Sequence, residues 1–175
     1  GRGWVAEAGA LERYSPEGFA DVGLDLAGEQ GYHTIFFPAT AQGKDLAPRL
    51  AAKLDVPLAA DATALAVEEG ELLVTRPVYA GKAFAQVSLE GEPRCVTLRP
   101  NVFRAEENPR EAAVERIEVS VDPAAWRVKV REFVASAGEK LDVTEAPVVV
   151  AGGRGLKGPE HWSILEQLCD AIGPH

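Results

Sequence analysis

The sequence predicts an α/β protein: a parallel layer extended by an antiparallel β-meander, followed by the first strand, loop and helix of a second α/β domain. Three observations predict it. Strand and helix patterns alternate as β, α, β, α, β over residues 4–60, an order that gives right-handed crossovers and a parallel sheet. Four short strand runs separated by glycine-containing turns follow between residues 63 and 98, the pattern of successive hairpins. A valine run and a glycine loop then reopen a strand–loop–helix pattern after residue 146.

Trp4-Val5-Ala6 is the first short strand. Ser15-Pro16-Glu17 is a helix start, with a hydroxyl N-cap, proline at the first helical position and an acid at the positive end of the dipole. Phe19, Val22 and Leu26 put apolar side chains on one face, and Gln30-Gly31 supplies the stop. Residues 33–38, His-Thr-Ile-Phe-Phe-Pro, read as a strand buried on both faces. Ala41-Gln42-Gly43 is expected to turn the chain. Leu46, Leu50 and Leu54 then repeat every four residues, with Ala47 and Ala51 beside them and Lys44, Asp45, Arg49 and Lys53 on the other side. That pattern is a second helix over residues 44–54, with Pro48 near its first turn. Residues 56–60 return as a strand.

From Asp61 onward the rhythm changes. Strand runs at 63–67, 72–78, 83–89 and 94–98 are separated by Glu68-Glu69-Gly70-Glu71, Tyr79-Ala80-Gly81-Lys82 and Glu90-Gly91-Glu92-Pro93. Ala83, Ala85, Val87 and Leu89 alternate with Phe84, Gln86 and Ser88, as a sheet with one wetter face requires. All four runs are assigned to the meander. Residues 101–111 read as a polar loop, and 114–119 and 126–130 as further strands. The small and charged residues 135–140 are the expected linker. Beyond it, residues 147–151 read as a buried strand. Pro159 is expected to open a helix with Trp162, Leu165, Cys169 and Ile172 on one face.

Composition narrows the function. The chain has 175 residues, of which 46% are hydrophobic and 26% charged, the profile of a folded globular protein. Eighteen basic against 27 acidic residues leave a net charge of −9, which repels phosphate backbones and argues against nucleic acid as a partner. No apolar run reaches the length of a membrane span, and Gly1-Arg2-Gly3-Trp4 is no signal-peptide start, so a cytoplasmic, non-membrane setting is expected. Cys95 and Cys169 read as small buried hydrophobes. The absence of methionine suggests a processed chain or a piece of a longer one.

Chemistry concentrates in one loop. Gly153-x-Gly155-x-x-Gly158 matches the dinucleotide fingerprint between a predicted strand and a predicted helix, where backbone N–H groups attract phosphate. The acidic residue that would bind a ribose belongs to a next strand that this sequence does not contain. Arg154 and Lys157 add cationic donors suited to an anionic cofactor. Spacing alone leaves a cofactor loop and a tight structural turn equally open. His33, His161 and His175 are dispersed, with no zinc-ligand spacing around them. No GxSxG elbow, Walker A motif or HExxH is present. Lys44, Asp45 and Arg49 read as a solvated helix face rather than a functional cluster, and residues 79–82 as a turn rather than a site.

Residues 41–54 with Asp61 downstream, residues 76–83 (Arg-Pro-Val-Tyr-Ala-Gly-Lys-Ala), and residues 141–157, which include Ala-Gly-Gly-Arg-Gly-Leu-Lys, closely resemble the electron transfer flavoprotein alpha subunit. The resemblance runs in order over nearly the whole chain. It implies a Rossmann-like layer similar to adenine nucleotide alpha hydrolase folds. On that reading residues 1–140 are the later part of an N-terminal domain, without its opening strands, and residues 141–175 begin an FAD-binding domain. It also implies an electron carrier: a heterodimer with a beta subunit whose FAD takes electrons from acyl-CoA and related dehydrogenases, in fatty acid β-oxidation, and passes them to a membrane quinone oxidoreductase. Gly153, Arg154 and Gly155 fall on the family's flavin-contacting loop, where the arginine would stabilise negative charge on the flavin. The family's Ser-Arg pair, Val-Gly-Gln-Thr-Gly and Ser-Gly-Ala-Ile-Gln-His motifs have no counterpart in these 175 residues, so the chain by itself is expected to be colourless and inactive. The alternatives are a non-redox scaffold or nucleotide-binding domain that only contacts a beta subunit, and a piece of a nicotinamide-dependent dehydrogenase.

Overall fold

Ser15 caps the first long helix as its hydroxyl predicts. Its Oγ accepts the Gly18 N–H at 3.2 Å, Pro16 takes the first helical position, and Gly31 closes the far end at φ 60°. The computed structural model describes residues 1–132, 143, 146 and 148–173. They belong to two compact units, Gly1–Glu132 and Phe133–His175. The expected linker at 135–140 lies outside the described residues.

In the first unit the order is β1 (Arg2–Ala6), α1 (Pro16–Gln30), β2 (Thr34–Pro38), α2 (Ala41–Leu54), β3 (Leu58–Ala62), β4 (Ala64–Glu68), β5 (Glu71–Val78), β6 (Ala83–Ser88), β7 (Arg94–Leu98) and β8 (Ala113–Ile117). The α/β class with parallel and antiparallel sheets is therefore borne out. Helix α2 starts earlier than its leucine repeat suggests. Thr40 is the N-cap and its Oγ1 accepts the Gly43 N–H at 3.2 Å, so Ala41-Gln42-Gly43 is the first helical turn and not a chain turn. Glycine is needed at 43, because a Cβ there would collide with the Pro38 carbonyl oxygen. Pro48 consequently sits in the body of the helix, which forgoes one backbone hydrogen bond at that point.

Three sheets form. The antiparallel sheet β4-β5-β6 matches the first three runs of the expected meander. Its first turn, Glu69-Gly70, has positive φ at both residues, 52° and 87°, as a two-residue hairpin requires. The fourth run does not join it. Strand β7 crosses over and inserts between β2 and β3, parallel to both, in the order β2-β7-β3. The physical reason is burial: Cys95, Val96 and Thr97 in succession are at most 1% exposed. Neighbours in a strand face opposite ways, so β7 is covered on both faces, as a central parallel strand is. Strand β1 also departs from expectation, pairing in parallel with β8 rather than joining β2 and β3.

The core lies where the two larger sheets meet. Ala59 and Ala62 of β3, Val74 of β5 and Val96 of β7 are buried together, flanked by Leu65, Leu72, Val87, Leu89 and Leu98. Helix α1 packs on α2, with Leu50 against Gly23 and a Lys53–Asp21 ion pair of 2.7 Å across the pair.

Residues 126–130 are not a strand. Their alternation is used differently. The Trp126 indole lies directly over Gly18, where a Cβ would come within 2.5 Å of the ring. Glu17 Oε2 accepts the N–H groups of Arg127 at 2.5 Å and Val128 at 3.3 Å. Arg13 Nη1 donates to the Arg131 carbonyl at 2.8 Å. Two of the segment's backbone donors thus go to a side chain of α1 instead of a neighbouring strand. Among the described residues no helix is long and apolar enough to cross a membrane.

Candidate functional site

The glycine loop belongs to the second unit and differs from its sequence reading on both flanks. Val148 and Val149 are about half exposed, at 49% and 53%, and no strand forms over 148–151. A strand exists through pairing, and none of the described residues pairs with these valines. On the other flank the loop does not enter the helix directly. Arg154–Leu156 and Pro159–His161 form 3₁₀ turns, and only then does α3 (Ser163–Ile172) begin. Trp162, Ile164, Leu168 and Ile172 are exposed along it. Cys169 is exposed as well, which corrects its reading as a buried hydrophobe, whereas Cys95 is buried as expected. Burial pushes the Cys95 thiol above its ordinary pKa and leaves it inert.

Within the loop, Gly153, Arg154, Gly155 and Lys157 are exposed, while Gly152, Leu156 and Gly158 are half-buried. The Leu156 N–H donates to the Gly153 carbonyl at 3.0 Å, and the Lys157 N–H to the Arg154 carbonyl at 3.2 Å. Among the described residues the side chains of Arg154 and Lys157 make no hydrogen bond or ion pair, and the Gly155 N–H has no partner. Two exposed cations beside a backbone donor, without partners among the described residues, can receive an anionic group such as a phosphate or a charged ring. The residues present therefore fit an anionic cofactor, and the chain brings Gly153, Arg154 and Gly155 together in one turn.

The other candidates resolve into structure. Asp45 accepts from Tyr14 Oη at 2.9 Å and from Arg49 Nε at 3.0 Å. Burial and that hydrogen bond push Tyr14 up to about 12, so its hydroxyl stays a neutral donor. Asp45, braced by Arg49, thus fastens α2 to the segment before α1, while Lys44 is exposed on the helix surface. Residues 79–82 are a hairpin turn closed by a Gly81 N–H to Val78 carbonyl bond of 3.1 Å. His33 pairs with Glu92 at 2.7 Å, His161 lies 3.5 Å from Glu160, and His175 is outside the described residues. Among the described residues no three His, Cys, Asp or Glu side chains are placed to hold a metal ion.

One pair escaped sequence reasoning. Asp61, at φ 64° in the irregular end of β3, takes both Arg99 Nε at 3.0 Å and Arg99 Nη2 at 2.6 Å. That bidentate hydrogen bond, with Lys44 and Arg76 nearby, holds the Asp61 carboxyl below its ordinary range. The signal was present only once β7 is placed beside β3: Ala62 then pairs with Leu98, which brings the preceding and following residues, Asp61 and Arg99, to the same edge.

The Electron transfer flavoprotein domain matches residues 1–124, more than half of the 175 residues. The chain belongs to the electron transfer flavoprotein family. Among its relatives, Protein FixB of Clostridium saccharobutylicum is 36% identical over 173 residues, covering 97% of this chain and 52% of that protein. Electron transfer flavoprotein subunit alpha of Bacillus subtilis (strain 168) is 35% identical over 171 residues, covering 97% and 52%. The alpha subunit of Syntrophomonas wolfei is 36% identical over 170 residues, covering 97% and 54%. The chain thus spans about half the length of the curated relatives it matches, and the resemblance read from its motifs is borne out.

Proposed function

We propose that this chain is part of an alpha-type subunit of an electron carrier, in which the loop Gly153-Arg154-Gly155 receives FAD at the side of a beta-subunit partner. The observation that carries the reading is Arg154, exposed and unpaired among the described residues, beside the Gly155 N–H, in a family whose members include proteins named as electron transfer flavoprotein alpha subunits. Bound FAD supplies the redox chemistry. The loop's part is electrostatic: a cation and a backbone N–H carried on one turn favour negative charge on the cofactor. The reading places acyl-CoA and related dehydrogenases upstream, a quinone oxidoreductase downstream, and the protein in the cytoplasm with a role in fatty acid β-oxidation.

The test is to co-express the native polypeptide with a beta-type partner and record its visible spectrum. Absorption at about 450 nm, typical of an oxidised flavin cofactor, that bleaches on adding an acyl-CoA dehydrogenase with its substrate is the expected result. A complex that forms but stays colourless would instead support the scaffold reading.

A further inference from the structure

The loop's two cations are exposed, and among the described residues no ion pair holds either of them. Arg154 belongs to a 3₁₀ turn, and Lys157 has φ 66° and ψ −34°. That is a left-handed conformation unfavourable for a lysine. Around it the Gly158 N–H donates to the Leu156 carbonyl at 2.8 Å, a bond spanning two residues that makes Lys157 the centre of a strained γ-turn. A strained turn persists only when its surroundings over-determine it. Part of the surroundings here is an apolar contact. Leu156 reaches back over Gly152, its Cγ 3.5 Å from where a Cβ of residue 152 would stand, and its Cδ1 shares that space with Cδ1 of Leu165 from α3. Gly152 leaves the room that both leucines fill.

We infer that Leu156 is the positioning residue of the loop: an apolar peg, seated over Gly152 and against Leu165, that fixes Arg154 on one side and Lys157 on the other before any cofactor arrives. Its N–H ties the Arg154 turn to the Gly153 carbonyl, and its carbonyl ties the Lys157 turn to Gly158. Both connections move if the side chain between them loses its seat. The gain to the cofactor is preorganisation, since the backbone that carries the two cations need not be ordered at the moment of binding. The inference rests on the flavin reading above for the identity of the anion, and on the loop geometry alone for the peg.

Two variants of the native polypeptide, purified with its beta partner, test it. Leu156→Ala removes the peg, and Leu156→Met keeps a flexible apolar side chain of similar volume in the same seat. The expected result is FAD affinity weakened roughly tenfold, about 1.4 kcal/mol, and a lowered flavin reduction potential in Leu156→Ala, with both restored in Leu156→Met. Wild-type affinity and potential in Leu156→Ala would overturn the inference. Hydrogen exchange gives a reading that needs no flavin: the Leu156 and Gly158 amides should exchange faster in Leu156→Ala than in wild type or Leu156→Met. If the wild-type complex is colourless, the flavin reading fails while this exchange comparison still decides the peg. Equal exchange in all three proteins would defeat it.

Discussion

In the first unit, Val74, Val96, Ala59 and Ala62 are covered from several directions by strands brought together from distant parts of the chain. In the second, α3 has an equally clear apolar stripe, yet none of its residues is buried. Both regions present apolar residues, on strands in one and on a helix in the other, and differ in what covers them. The contrast shows that helix patterning specifies a face, while burial of that face is a tertiary property. It also shows that the conformation of the candidate site depends on short-range contacts among Gly152, Leu156 and Leu165 rather than on a core.

The largest difference between the two regions is expected when charge is inserted into their apolar faces. Val74→Asp buries a carboxylate among apolar neighbours at a site with 0% exposure. It should destabilise the first unit by at least about 4 kcal/mol, read as loss of its cooperative urea transition. Ile164→Asp in the 175-residue chain, at a site 61% exposed, should shift that transition by no more than about 0.5 kcal/mol. Equal effects would mean that α3 is packed in solution.

A smaller effect is expected where the first unit holds an irregular segment. Trp126→Ala combined with Glu17→Gln removes the indole over Gly18 and weakens the acceptor of two backbone N–H groups. Trypsin should then cut after Arg127, Lys129 and Arg131 much faster than in wild type, at a cost to stability of about 2 kcal/mol. Cleavage at the wild-type rate would show that these contacts do not restrain the segment.

The smallest effect concerns Asp61. Its folded-state pKa is depressed by Arg99, so the stability it contributes is present above the ordinary carboxylate range and is lost as pH falls through the depressed value. Asp61→Asn should therefore be less stable than wild type at pH 7, and the gap should close below about pH 4. A gap that is the same at pH 7 and in acid would mean that the ion pair contributes nothing.

How far these features were legible in the sequence follows from their range. The Ser15 cap, the Gly31 stop and the Glu69-Gly70 hairpin are local, and their residues state them directly. Strand β7 was misplaced because its position depends on a crossover that sequence order does not display, although the unbroken run Cys95-Val96-Thr97 already departed from the alternation of its supposed neighbours. Residues 126–130 alternate like a strand, but Glu17 satisfies two of their N–H groups, a long-range contact that periodicity does not encode. In the candidate site, Gly153, Arg154 and Gly155 were found by motif. The supporting role of Leu156 was hidden because a leucine in a glycine loop carries no chemical signature until the side chain it packs against is known.

Arg154 is proposed to face the flavin and favour its negative charge. The most direct measurement is the reduction potential of FAD in the native polypeptide paired with its beta subunit, compared between wild type and Arg154→Ala. The expected result is a clearly lower potential, or markedly weaker FAD binding, in the variant. An unchanged potential together with unchanged FAD affinity would contradict it.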